Sequence, residues 1–268
     1  MTDLKTVWEN NVLVRLRQGL PAFGISVRGI RSGDIAHVAK ASGHHFLFVD
    51  TQHSIFSKES LYQIAQVSAS IGVASMVRVR SVSDEDSSLL LDNGFQGIIF
   101  PDVNTVDEAK HAVSICKFPP TGRRSVAGGY PMFHFSAKPL SDVTSHLNHE
   151  TLVAIMIETE EGLENVEKIA AVPGIDVIHV GTNDLLTNMG LTGEFDHPKI
   201  KEAQLRVIDA CKKNRIYAGC GGNRDVQRQS SFINKGVQFV TTQTDIAFLS
   251  RAASTWVSEL NELLDQST

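Results

Sequence analysis

The chain alternates short, almost unbroken apolar runs with longer stretches in which apolar residues recur every three or four positions. The runs are "AFGISV" (22–27), "HFLFVD" (45–50), "ASMVRV" (74–79), "GIIFP" (97–101), "LVAIMIE" (152–158), "VIHVG" (177–181), "IYAGCGG" (216–222) and "VQFVTTQ" (237–243). None exceeds seven residues, and their near-continuous apolarity suits strands of a parallel sheet covered on both faces. Helical periodicity falls between them, in segments such as "SKESLYQIAQVSASIG", "TVDEAKHAVSICK" and "HPKIKEAQLRVIDACKKN", several opened by Ser, Thr or Asp and closed by Gly or Asn.

Eight strands alternating with helices in one chain of 268 residues predict a single-domain (β/α)8 barrel spanning residues 1–268. The alternative, a doubly wound open sheet, would usually show a GxGxxG after its first strand, and "GISVRGIRSGD" contains none. The N-terminal "MTDLKTVWENNVLVRLRQG" predicts a capped amphipathic helix, and the C-terminal "DIAFLSRAASTWVSELNELLDQ" a long one. Residues 119–151 show no clear helix. Following the fourth strand, this long segment is expected over the barrel mouth as a lid or as an oligomer contact.

Composition narrows the function classes. Hydrophobic residues make up 42% and charged residues 21%, as in a globular chain with a sizeable core. A net charge of −5 argues against nucleic acid or an anionic membrane surface as a partner. No run of eighteen apolar residues occurs, so no membrane span is expected. Three unpaired-looking cysteines and the lack of a signal-peptide pattern predict a soluble, cytoplasmic protein.

In a (β/α)8 barrel the active site lies at the C-terminal ends of the strands. The polar residues arriving there are Asp50, His53, Arg78, Asp102, Asn104, Glu158 and Asp184. Singly, each has an ordinary explanation: a carboxylate after a strand usually caps the next helix, and most of the ten histidines should be structural or exposed. Glu158 and Asp184 together are harder to dismiss, because they end adjacent strands and two like charges held close call for a cation. With no cysteine nearby, the expected ion is Mg²⁺ or Mn²⁺, ahead of Co²⁺ or Zn²⁺. Its remaining positions suit the two oxygens of a 2-oxo acid, whose carboxylate the amides of "GTND" can receive. His53 is placed to act as a general base. Arg78, next to the end of an apolar run, needs an anion beside it. Every lysine lies outside the eight runs, which excludes a Schiff-base aldolase with its lysine inside the barrel.

The stretches "FLFVDTQHSIFS", "MVRV", "DNGFQGIIFPDVNTVDEAKHAV", "KFPPTGRRS" and "IMIETEEGLENVEKIAAVPGIDVIHVGTNDL" resemble, in order and spacing, the metal-dependent class II pyruvate aldolases of the 4-hydroxy-2-oxoheptanedioate aldolase and citrate lyase beta-subunit family. The resemblance spans about residues 20–250 and implies a (β/α)8 barrel whose last helix is exchanged between subunits of a homo-oligomer, a hexamer or trimer. It implies Glu158 and Asp184 as metal ligands and His53 as catalytic base, with Asp92 of "LLLDNG" as its partner. It further implies that Asp50 arranges metal-bound water, that Arg78 stabilises a pyruvate enolate, and that Gly181, Thr182, Asn183 and Asp184 form a carboxylate-binding turn. This chain departs from many relatives at Gln52, where they carry Glu, and at Met156, where they carry Gln.

The expected activity is reversible cleavage of a 4-hydroxy-2-oxo acid to pyruvate and an aldehyde through an enolate held by the metal. The competing expectations are oxaloacetate decarboxylation or trapping of the same enolate, as in macrophomate synthase. Less favoured are cleavage of an acyl-CoA ester and a barrel with no catalysis, in which Glu158 and Asp184 are only caps.

Overall fold

The computed structural model describes residues 8–266. Each apolar run is a strand: β1 (Ala22–Val27), β2 (Phe46–Asp50), β3 (Ala74–Arg78), β4 (Gly97–Phe100), β5 (Leu152–Ile157), β6 (Val177–Gly181), β7 (Tyr217–Gly221) and β8 (Val237–Thr244). Each strand pairs in parallel with the next, and β8 returns to β1, closing the barrel. Closure leaves no free sheet edge and sends every strand's C-terminal end to one face, the mouth.

Around the barrel run α1 (Asn11–Arg17), α2 (Asp34–Ala41), α3 (Lys58–Ile71), α4 (Ser87–Asp92), α5 (Val106–Cys116), α6 (Leu140–Glu150), α7 (Glu160–Glu164), α8 (Val166–Ala170), α9 (Thr182–Asn188), α10 (Pro198–Asn214), α11 (Val226–Ile233) and α12 (Asp245–Asp265). Local chemistry sets several boundaries. Thr105 and Glu108 form a reciprocal capping box that starts α5, and Gly72, in the left-handed region at φ 76°, ends α3. The segment "EGLENVEKIAAVPG" forms two short helices, α7 and α8, that meet at Asn165, whose side chain donates to the carbonyl of Asn104 at 2.9 Å. No described helix is long and apolar enough to cross a membrane.

The helix expected at the N-terminus is present from Asn11 onward, and residues 1–7 of that expectation lie outside the described residues. Val12, Leu13 and Leu16 of α1 pack against Ala22, Phe46, Met76, Leu152 and Phe239 inside the barrel, where the rings of Phe46 and Phe239 stack at 4.3 Å. α1 therefore closes the floor, the end opposite the mouth. Asn10 fastens it there. Its side-chain oxygen accepts from the backbone N–H groups of Val12 and Leu13, its amide donates to the carbonyls of Gln96 and Glu150, and its own N–H donates to the Glu150 carboxylate at 2.8 Å.

The placement of residues 119–151 over the mouth is overturned. α5 intervenes after β4 and returns the chain to the floor before the segment begins. Lys117 there donates its Nζ to the carbonyl of Asn148 at 2.8 Å. The segment contains a 3-10 turn at Pro131–Phe133 and the helix α6, and its Tyr130, Met132, Phe133, Val143 and Leu147 bury themselves with Trp8 and Phe118. In "LSDVTSHLNHE" only Val143 and Leu147 are apolar and buried, too few to reveal a helical period.

Asn10→Ala should remove the α1 cap and the side-chain donor of the buried Glu150 carbonyl, while the Gln96 carbonyl keeps the Leu152 N–H, lowering stability by about 2–3 kcal/mol. A shift of the urea midpoint with an unchanged denaturant slope is the expected result.

Candidate active site

Asp50 and Arg78 are the last residues of β2 and β3, and the parallel register sets them side by side. Arg78 grips the carboxylate with both arms, Nε to Oδ1 at 3.1 Å and Nη2 to Oδ2 at 2.8 Å. Both groups are buried. Oδ1 of Asp50 also accepts the backbone N–H groups of Gln52 and His53 at 3.2 Å each, shaping the turn that presents the exposed His53. Burial alone would raise Asp50, but the Arg78 guanidinium overrides it by hydrogen bonding and charge, holding this carboxyl below its ordinary range.

Glu158 follows β5 directly and is 2% exposed. Its Oε2 accepts the backbone N–H of Asp102 at 2.9 Å, a residue held in the left-handed region at φ 51°. Its Oε1 has no hydrogen-bond partner, and the nearest cation, Nη1 of Arg78, lies at 4.0 Å. A Cβ added to Gly181 would stand 2.3 Å from that oxygen, so only glycine lets β6 pass so close. Burial pushes Glu158 up to about 8, and the charges of Asp102 and Asp184 add to the push against the opposing pull of the Asp102 N–H and Arg78. Asp102 is raised as well, by burial and then by the charge of Asp184.

These residues surround a cavity of about 320 Å³. Asp50, His53, Arg78, Glu158, Gly181, Thr182, Asn183 and Asp184 all line it, as does Met156. A buried carboxylate oxygen without a donor, a second carboxylate in the first turn of the uncapped α9, and an all-oxygen donor set fit a hard divalent cation held by Glu158 and Asp184.

Asp92 is not brought into this group. α4 runs antiparallel to the strands, so its C-terminal end, where Asp92 sits, lies toward the floor. There the carboxylate accepts Nη2 of the buried Arg124 at 2.6 Å. Asn104 is also structural, its amide donating to the carbonyl of Asp102 at 3.1 Å and its side-chain oxygen accepting from Thr159. Asp50, expected to arrange water at the metal, is held by Arg78, by Arg28 Nε at 3.3 Å and by two backbone N–H groups.

Sequence reasoning missed three titratable residues that line the cavity: Arg28, Arg224 and His179. The two arginines are the first charged residues past β1 and β7 and satisfy the rule that singled out Asp184. His179 is hidden inside the apolar run of β6. It is 1% exposed, and its Nδ1 lacks a partner. Burial and then the charge of Arg78 push its imidazole down to about 3.

His179 therefore stays neutral across physiological pH. The unfolded chain takes up a proton near pH 6.5, whereas the folded one waits until about 3, so stability falls as pH drops below 6.5. His179→Phe should lose about 2 kcal/mol less stability than the wild type between pH 7 and pH 5, read from urea midpoints at the two pH values.

Comparisons with known proteins bear on the family and the fold. The sequence model of the HpcH/HpaI aldolase/citrate lyase family matches residues 30–252. The chain is 34% identical over 250 residues to a 4-hydroxy-4-methyl-2-oxoglutarate aldolase of Chaetomium globosum, covering 91% of this chain and 92% of that protein. It is 29% identical to a hydroxypyruvate/pyruvate aldolase of Sagittula stellata, covering 91% and 95% of the two chains. The crystal structure of macrophomate synthase superposes with a TM-score of 0.82 at 26% identity, covering 100% of this chain and 94% of that one.

Proposed function

Because the chain belongs to the HpcH/HpaI aldolase/citrate lyase family, we propose that it is a divalent-cation-dependent aldolase that cleaves a 4-hydroxy-2-oxo acid to pyruvate and a second carbonyl compound. The observation that carries this reading is the unpartnered, buried Oε1 of Glu158, facing the same cavity as Asp184 and Arg78. Glu158 and Asp184 would hold the ion, Mg²⁺ or Mn²⁺ by the hardness of their oxygens. When bound, the cation supplies positive charge where negative charge develops on the 2-oxo group.

The chain's own residues do the rest. His53 takes the proton of the 4-hydroxyl; the C3–C4 bond breaks, its electrons pass into the C2–C3 bond, and the 2-oxo oxygen becomes the enolate oxygen. The fragment bearing C4 leaves as a carbonyl compound, and proton return to C3 gives pyruvate. Arg78 stabilises the enolate, and Asp50 fixes the guanidinium through two hydrogen bonds, so that little reorganisation accompanies the charge shift. The backbone at Gly181, Thr182 and Asn183 receives the substrate carboxylate. Within one chain His53 works without Asp92, whose carboxylate Arg124 occupies.

α12 supports assembly into a homo-oligomer. Of its described residues only Asp245 is buried, and Leu249, Trp256, Val257 and Leu260 stand 49–69% exposed. Exchange of this helix between subunits would cover that face.

Glu158→Gln should abolish tight Mg²⁺ or Mn²⁺ binding in calorimetry together with pyruvate release; full turnover by this variant in EDTA would end the proposal. His53→Ala should cut aldol cleavage by about 10²–10⁴-fold while sparing oxaloacetate decarboxylation, which needs no base at a 4-hydroxyl. For the assembly, Trp256→Glu should shift the light-scattering mass toward that of one chain.

A further inference from the structure

A buried imidazole lines the cavity without any part in breaking the C3–C4 bond. His179 stands in the middle of β6 and is 1% exposed; it shares an inward face with Gly181, two residues later, and lies one step deeper in the barrel. The neighbouring strand makes room for it. A Cβ added to Gly219 would stand 2.6 Å from its Nδ1, and one added to Gly221 would stand 2.4 Å from its Nε2, so β7 leaves out both side chains that would collide with the ring. Phe48 and Phe239 hold it in place, with ring centroids at 6.0 and 5.7 Å. Met156, its partner across the sheet on β5, offers only a thioether.

The two ring nitrogens are not equivalent. Nδ1 is sealed off and has no hydrogen-bond partner. A buried N–H without an acceptor is rarer in proteins than a buried acceptor without a donor, so the hydrogen of the neutral ring belongs on Nε2. That edge meets the cavity, where Gly221 and the Thr241 hydroxyl lie beside it. Thr241 gives its own hydrogen to the carbonyl of Cys220 at 3.2 Å, so of the two the imidazole is the donor. Burial and the charge of Arg78 keep the ring uncharged, and it can therefore donate without repelling the guanidinium or a cation beside it.

Its target follows from its place on the strand. The turn at Gly181, Thr182 and Asn183 receives the substrate carboxylate, and His179 lies beneath that turn on the same strand, whereas the 2-oxo oxygen is directed toward Arg78. We propose that His179 donates its Nε2–H to the carboxylate of the bound 2-oxo acid from beneath, as a neutral partner to the backbone of the turn above. The assignment rests on the aldolase reading, which places that carboxylate. His179 is then a substrate-binding residue that sets the inner end of the 2-oxo acid pocket.

Calorimetry with pyruvate in the presence of Mg²⁺ tests it. His179→Phe should weaken pyruvate binding by about 10- to 100-fold, the weight of a hydrogen bond to a charged group, and His179→Gln, which keeps an N–H donor, should recover part of the loss. Binding of Mg²⁺ alone should be the same in all three proteins, which separates a lost contact from a distorted site. In kinetics the loss should fall on KM more than on kcat. Nitrogen NMR of the wild type carries the test if His179→Phe does not fold: His179 should show the Nε2–H tautomer at neutral pH, and that signal should shift when pyruvate is added to the Mg²⁺-loaded protein. Unchanged pyruvate affinity in His179→Phe, a loss of Mg²⁺ binding equal to that of pyruvate, an Nδ1–H tautomer, or an N–H signal indifferent to pyruvate would each overturn the assignment. If the wild type releases no pyruvate from any 4-hydroxy-2-oxo acid, the aldolase reading fails on its own, and the pyruvate calorimetry still decides the role of His179.

Discussion

The mouth of the barrel is organised around a buried carboxyl group whose ionised form the protein does not balance by itself. Glu158 sits in a place where burial and two neighbouring carboxylates work against its ionisation, yet one of its oxygens has neither a donor nor a close counter-ion. Burying a carboxylate in that state is costly, and the surroundings are shaped to permit it: Gly181 gives it room, Asp102 adopts a left-handed backbone to offer its N–H, and Arg78 is kept at a distance by its commitment to Asp50. The cation proposed above would complete the arrangement and give these five strand ends a common purpose.

The barrel was legible because its strands are covered on both faces, so each is an unbroken apolar run, and the runs match the strands within a residue or two. Five chemical residues, Asp50, His53, Arg78, Glu158 and Asp184, were legible because a charge at the end of such a run has nowhere to go but the mouth. The same reasoning applied to the segment after β4 failed, since it passed over α5 and so mistook the floor for the mouth. Asp92 came from resemblance alone, and the direction of α4 separates it from His53 within the chain. Arg28 and Arg224 were overlooked for the opposite reason: an arginine just past a strand looks like any solvated loop residue until the barrel closes and sets β7, β8 and β1 side by side.

Met156 gains a physical context from the register. It pairs across the sheet with His179, and both line the cavity. A thioether on β5 and a neutral imidazole on β6 thus sit side by side, and between these two positions the polar atom comes from β6.

The plug formed by α1 governs traffic. With Val12, Leu13 and Leu16 seated against the stacked rings of Phe46 and Phe239, the cavity has no exit through the floor, and whatever lies deepest leaves last. Substrate and both products therefore share the mouth as their one way in and out. A single doorway thus follows from a helix that touches neither reactant.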